Sequence, residues 1–146
     1  MTKRVIDVVL LPGKRLNELA VDLSERLAES GSDLVLDPHS CLPHVTLAMA
    51  VIDAADKSAL TRELARIAAE HLPILLRAIR IKTVPHQLRG EVSYIDIERS
   101  PELMALHEAV LDGCEQFFSY NAIPDMFYPP PKMEGKKRPQ YEIHYL

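Results

Sequence analysis

The chain has little of what several protein classes depend on. Its 146 residues include two cysteines, Cys41 and Cys114, far apart in the sequence. That excludes a disulfide framework and any CxxC metal knuckle. No apolar run reaches the roughly twenty residues of a membrane-spanning helix. The opening MTKRVIDVVLLPGKR has too short an apolar stretch for a signal peptide before Lys14 and Arg15. Excess positive charge is also missing: 17 Lys and Arg stand against 21 Asp and Glu, a formal net charge of −4. The surface as a whole therefore does not advertise for a long polyanion. A cytoplasmic protein without membrane attachment is the expectation.

What is present suits a globular chain. Hydrophobic residues make up 47% and charged residues 26%, ordinary values for such proteins. The length fits one domain with a real core, or two small lobes sharing one. Basic residues gather locally, at Arg77, Arg80 and Lys82 and again at Lys132, Lys136, Lys137 and Arg138. A single phosphate needs only a local positive site, so overall acidity leaves phosphate ligands open.

Periodicity gives an element order. RVIDVVLLP is short, rich in Val and Ile, and stops at Pro12-Gly13, which predicts a strand and a turn. Leu16, Leu19, Ala20, Leu23 and Leu27 follow helical spacing up to Ser30-Gly31-Ser32, predicting an amphipathic helix with one face on a sheet. DLVLDPHSCLPHVTLAMAVI reads as two extended pieces separated by the Pro38 and Pro43 region. A second helix is expected from Asp53 or Asp56, with Leu60, Leu64 and Ile67 as its stripe, ending before Pro73. ILLRAIRIKTV and EVSYIDIER read as strands around a Pro85–Gly90 connection. Ser100-Pro101-Glu102 signals a helix start, with Leu103, Leu106, Val110, Cys114 and Phe117 as the core stripe. PDMFYPPPKMEGKKRPQ then forbids regular structure over most of its length, and YEIHYL opens a last short segment. The class is α+β, with helices packed on largely antiparallel sheet.

One stretch carries chemistry. In LPHVTLAMA, residues 42–50, strand alternation puts His44 and Thr46 on one face and Val45 and Leu47 on the other. Pro43 sits most easily at a strand's first residue, so the strand should begin about there. Imidazole titrates near neutrality and can take a proton from an attacking hydroxyl or give one to a leaving oxygen. A threonine on the same face can donate to a non-bridging phosphate oxygen and stabilise charge growing there. The bland reading is a histidine capping a strand, with Thr46 chosen for β propensity.

PHVTL at 43–47, the strand and capped helix of VSYIDIERSPELMALHEAVL at 92–111, and the order of elements resemble the two-histidine phosphoesterase superfamily. Its members include 2′-5′ RNA ligases and cyclic nucleotide phosphodiesterases. The resemblance implies two pseudo-symmetric α+β lobes, mostly antiparallel sheets with helices outside and a central cleft, and no metal or organic cofactor. It implies His44 as a catalytic acid/base and Thr46 as a phosphate donor. The substrate would be a nucleotide or RNA terminus carrying a 2′,3′-cyclic phosphate or a 2′-5′ linkage. The family carries two His-x-Thr/Ser motifs and this chain one; in the family's order the second falls near or beyond Leu146. The expectation is therefore a single two-lobed domain over 1–146, cut short in its second lobe and able to self-associate there. The alternative is a catalytically inactive domain of the same fold that binds a nucleotide or RNA end.

Other residues carry competing readings. His144 is the candidate second acid/base, since it falls where the missing lobe needs a histidine. Arg89, in TVPHQLRG, is a candidate phosphate or ribose contact, and Tyr94 could stack on a base or pack in the core. His39 after Asp37-Pro38 reads as an ordinary turn, His86 as a loop residue and His107 as a partly buried structural histidine. Cys41 reads as a small buried side chain, and the run from Lys132 to Arg138 as a solvated loop.

Overall fold

The fold is taken from a computed structural model that describes residues 2–86 and 90–127. Its regular elements are β1 (Lys3–Leu10), α1 (Lys14–Glu29), β2 (Val45–Asp53), α2 (Lys57–His71), β3 (Ala78–His86), β4 (Gly90–Ile97) and α3 (Pro101–Cys114). The class is α+β, with two two-stranded sheets, β1-β2 and β3-β4, among the described residues. The chain divides into two compact units. One is built from Met1–Val9, Thr46–Pro73 and the chain from Met104; the other comprises Leu10–Val45 and Ile74–Leu103.

The first unit holds most of the core. The Ala54 N–H donates to the Thr2 carbonyl at one end of the sheet, and Thr46 meets Asp7 toward the other, so β1 and β2 run antiparallel. Leu47, Ala48, Ala50, Val51 and Ile52 of β2 are buried, as are Leu60 and Ile67 of α2 and Leu106, Val110 and Cys114 of α3. Asp53 starts the helical stretch as expected, its Oδ1 accepting from the Ala55 N–H at 3.0 Å. Helices α2 and α3 meet at Gly113, where a Cβ would stand 3.0 Å from Ile67 Cδ1 and Glu63 Oε1. The outer edge of β2 is covered by two devices. Val51 exchanges backbone hydrogen bonds with Ser119 (2.7 and 2.9 Å), and the His107 ring donates to the Leu47 carbonyl at 2.7 Å. An edge carbonyl bonded this way no longer offers itself to another chain. His107 is thus a structural histidine.

The second unit is thinly filled. Its buried apolar side chains among the described residues are Ala20, Pro43 and Leu103, with the buried Ser24 one turn from Ala20 on α1. The expected apolar face of α1 is only partly covered: Leu19 is 44% and Leu27 42% exposed, and burial centres on small Ala20 and Ser24. The helix stops where expected. Gly31 takes φ +99°, its N–H donates to the Ala28 carbonyl and the Ser32 N–H to the Leu27 carbonyl, a Schellman ending.

The first of the two extended pieces expected between α1 and Asp53 is not a strand. Residues 33–36 form no ladder, because the Ser24 hydroxyl takes their backbone groups instead. It accepts from the Leu36 N–H at 2.8 Å and reaches the Leu34 carbonyl at 3.4 Å. Ser24→Ala is expected to lower stability by about 1–3 kcal/mol, read as a drop in the urea midpoint; no change would mean that water serves these groups equally well.

β3 and β4 form an antiparallel hairpin with Ile81 opposite Ile95, Lys82 opposite Tyr94 and Thr83 opposite Ser93, and a bulge between Ala78 and Arg80. β3 begins at Ala78 rather than Ile74. Its partner runs out, since the Glu98 N–H makes a last bond to the Arg77 carbonyl before the Ser100 hydroxyl accepts from the Leu103 N–H and α3 begins. Ser100 is thus the helix N-cap that the sequence signals.

Candidate functional site

His44 is exposed and stands immediately before β2, which starts at Val45, two residues after the proline at which it was expected. Its Nδ1 lies 2.8 Å from the Leu42 carbonyl oxygen. A carbonyl can only accept, so Nδ1 carries the hydrogen and the neutral ring keeps its lone pair on Nε2. The local chain thereby selects the tautomer, and Nε2 becomes the nitrogen that takes up a proton. Pro43 beside it is buried and anchors this turn into the strand.

Thr46 is the second residue of β2 and is exposed; its Oγ1 lies 3.1 Å from Asp7 Oδ2 on β1. Asp7 is the residue that sequence reasoning passed over. Its signal was available: a lone carboxylate inside VIDVV, on a strand whose next residue, Val8, is buried. What the sequence could not supply was the register that brings position 7 beside position 46.

Tyr94 lies on β4 and is 40% exposed, so it is not a core residue. Its ring has the Lys82 ammonium 6.0 Å from the centroid, at the limit of a cation–π contact. Next along the same strand face, Arg80 donates to Asp96 at 3.1 Å, and at the hairpin's base Arg77 pairs with Glu98 at 3.3 Å. Arg89, His144 and the run from Lys132 to Arg138 lie outside the described residues. His86 ends β3 opposite Gly90.

The remaining candidates have structural explanations. The Asp37 carboxylate is held at about 2, first by the Ser40 hydroxyl and then by the N–H groups of Ser40 and His39. It closes an Asx turn through the backbone of His39 and Ser40, the ordinary turn expected from Asp-Pro. Cys41 is half-buried, and its carbonyl accepts from the Asp37 N–H at 3.0 Å. Cys114 is buried in the core stripe of α3, and that burial pushes its thiol up, away from the reactive thiolate. Among the described residues no three His, Cys, Asp or Glu side chains converge as metal ligands would, and no helix is long and apolar enough to cross a membrane.

Residues 13–131 match the model of the 2′-5′ RNA ligase superfamily. The chain belongs to that superfamily. The match runs from the start of α1 through His44, Thr46, both strands of the hairpin and α3. It agrees with the two-histidine phosphoesterase texture of PHVTL and of the capped third helix. No match was found among curated proteins or solved structures. For this member of the 2′-5′ RNA ligase superfamily, the phosphoesterase-like fold is therefore established by the family and the element order together, while its chemistry rests on individual side chains.

Proposed function

We propose that this 2′-5′ RNA ligase superfamily member is a metal-independent phosphoesterase acting on 2′,3′-cyclic phosphate or 2′-5′ phosphodiester bonds of nucleotides or RNA ends. The observation that carries the reading is the Leu42 carbonyl on His44 Nδ1, which prepares Nε2 for proton transfer. In hydrolysis of a cyclic phosphate, a water oxygen bonds to phosphorus as one ribose oxygen leaves. One proton passes from that water to His44, and another reaches the leaving oxygen from a second acid. His144 is our candidate for that acid, Thr46 for the donor to a non-bridging oxygen, and Arg89 for a second phosphate or ribose contact. The exposed Tyr94 ring, with Lys82 beside it, suits stacking on a base with the cation toward phosphate. A cytoplasmic setting and a single two-lobed domain belong to the same proposal.

The test is turnover of a nucleoside 2′,3′-cyclic phosphate by the chain in the presence of chelator, beside His44→Ala. Binding without turnover, in a chain whose affinity still depends on Thr46, would replace this reading with a nucleotide- or RNA-end-binding domain of the same fold.

We further propose self-association through the second unit, with a second copy of the chain as the occupant. Ile79 is 59% and Ile81 55% exposed on a hairpin that has no further strand among the described residues. Such an edge is self-complementary when two copies meet antiparallel. Sedimentation velocity should show a concentration-dependent shift toward dimer that Ile81→Lys suppresses. A monomer at every concentration would end this proposal.

A further inference from the structure

The Thr46 hydroxyl has one proton to give, and an ionised carboxylate can only accept. At 3.1 Å from Asp7 Oδ2, that proton points toward β1. A phosphate oxygen at the same hydroxyl would need the same proton. It would also stand within roughly 6 Å of a carboxylate, adding two hydrogen-bond lengths. The demand for that proton opposes an anion at Thr46, and it comes from one side chain. Asp7 precedes the segment matched to the superfamily, which begins at residue 13.

We propose that Asp7 sets the phosphate affinity of Thr46, as a positioning residue that competes with the ligand for the threonine proton. The inference rests on the reading of Thr46 as a phosphate donor. It adds that this subsite is restrained: Thr46 grips phosphate only after its hydroxyl turns from Asp7 or Asp7 itself is neutral. A neutral Asp7 could donate to Thr46 Oγ1 and leave the threonine proton to the ligand, a relay in the required direction. An asparagine at position 7 makes that relay available at any pH, because its amide N–H can donate to Thr46 Oγ1 where the ionised carboxylate only accepts.

The experiment measures binding of adenosine 2′-monophosphate by calorimetry to the full chain and to Asp7→Asn, Asp7→Ala, Thr46→Val and the Asp7→Asn/Thr46→Val double variant. Thr46→Val should weaken binding. Asp7→Asn should tighten it about fivefold, as expected for one net hydrogen bond gained when the threonine proton is freed for the ligand. Asp7→Ala removes the charge without supplying a donor, so it should gain less than Asp7→Asn. In the double variant the Asp7→Asn gain should shrink, because the relay has lost its middle member. An Asp7→Asn chain that binds no tighter, or that gains equally with and without Thr46, overturns the inference while leaving Thr46 as a donor. Equal binding by the wild type and Thr46→Val would instead remove Thr46 from the site and overturn both.

Discussion

His44→Ala is expected to lower kcat for a nucleoside 2′,3′-cyclic phosphate by roughly 10²–10⁴-fold, the usual contribution of a positioned acid or base. The loss should fall on kcat rather than KM, since the proposed role is to move a proton and not to hold the ligand. The reason is local. The Leu42 carbonyl, two residues before His44, fixes Nδ1 as the donor. The neutral ring therefore carries its lone pair on Nε2. His44 is exposed and immediately precedes the strand, so its removal should leave the fold intact. A near-native urea midpoint in His44→Ala would separate lost chemistry from lost structure. Retained turnover in the variant would remove His44 from the reaction and with it the phosphoesterase mechanism proposed above.

The second large effect concerns stability. Ile67→Ala should cost about 2–5 kcal/mol, a large share of the roughly 5–15 kcal/mol that holds a domain together. Ile67 is 1% exposed, and its Cδ1 lies against the backbone of Gly113 on α3, a residue with no side chain of its own to fill the void. Ile81→Ala provides the contrast. That isoleucine is 55% exposed on β3, so its truncation should change stability by no more than about 0.5 kcal/mol in a monomeric chain. Urea denaturation of both variants at low protein concentration measures the difference. Equal losses would mean that the hairpin face carrying Ile81 is as well covered in solution as the core around Ile67.

The two isoleucines also mark where sequence pattern stops being informative. Ile67 belongs to the apolar stripe expected of α2, and Ile81 alternates with Arg80 and Lys82 in a segment that reads as a strand. Periodicity states which residues share a face, but only the neighbours decide whether that face is covered. α2 meets α3 at Gly113, whereas β3 has a single described strand beside it. Leu19 and Leu27 illustrate the same limit on α1, where close contact falls on Ala20 and Ser24.

By itself the sequence determined the features whose causes lie within a few residues. Ser30-Gly31-Ser32 ends α1 because glycine alone adopts φ +99° there without strain. Ser100-Pro101 starts α3 because a hydroxyl is placed to meet the Leu103 N–H. VIDVV forms a strand, and PHVTL carries the mark of the superfamily. Even the histidine tautomer is a local matter, set by a carbonyl two residues away. The tertiary structure decided whatever depends on pairing between distant positions. It turned residues 33–36 from an expected strand into a segment held by Ser24, ended the β3 ladder where β4 ran out, and assigned His107 to the open edge of β2. It also brought Asp7 to Thr46, 39 residues away in the chain. A hydrogen bond across that separation depends on strand register, and register is fixed by the burial of whole faces rather than by either residue.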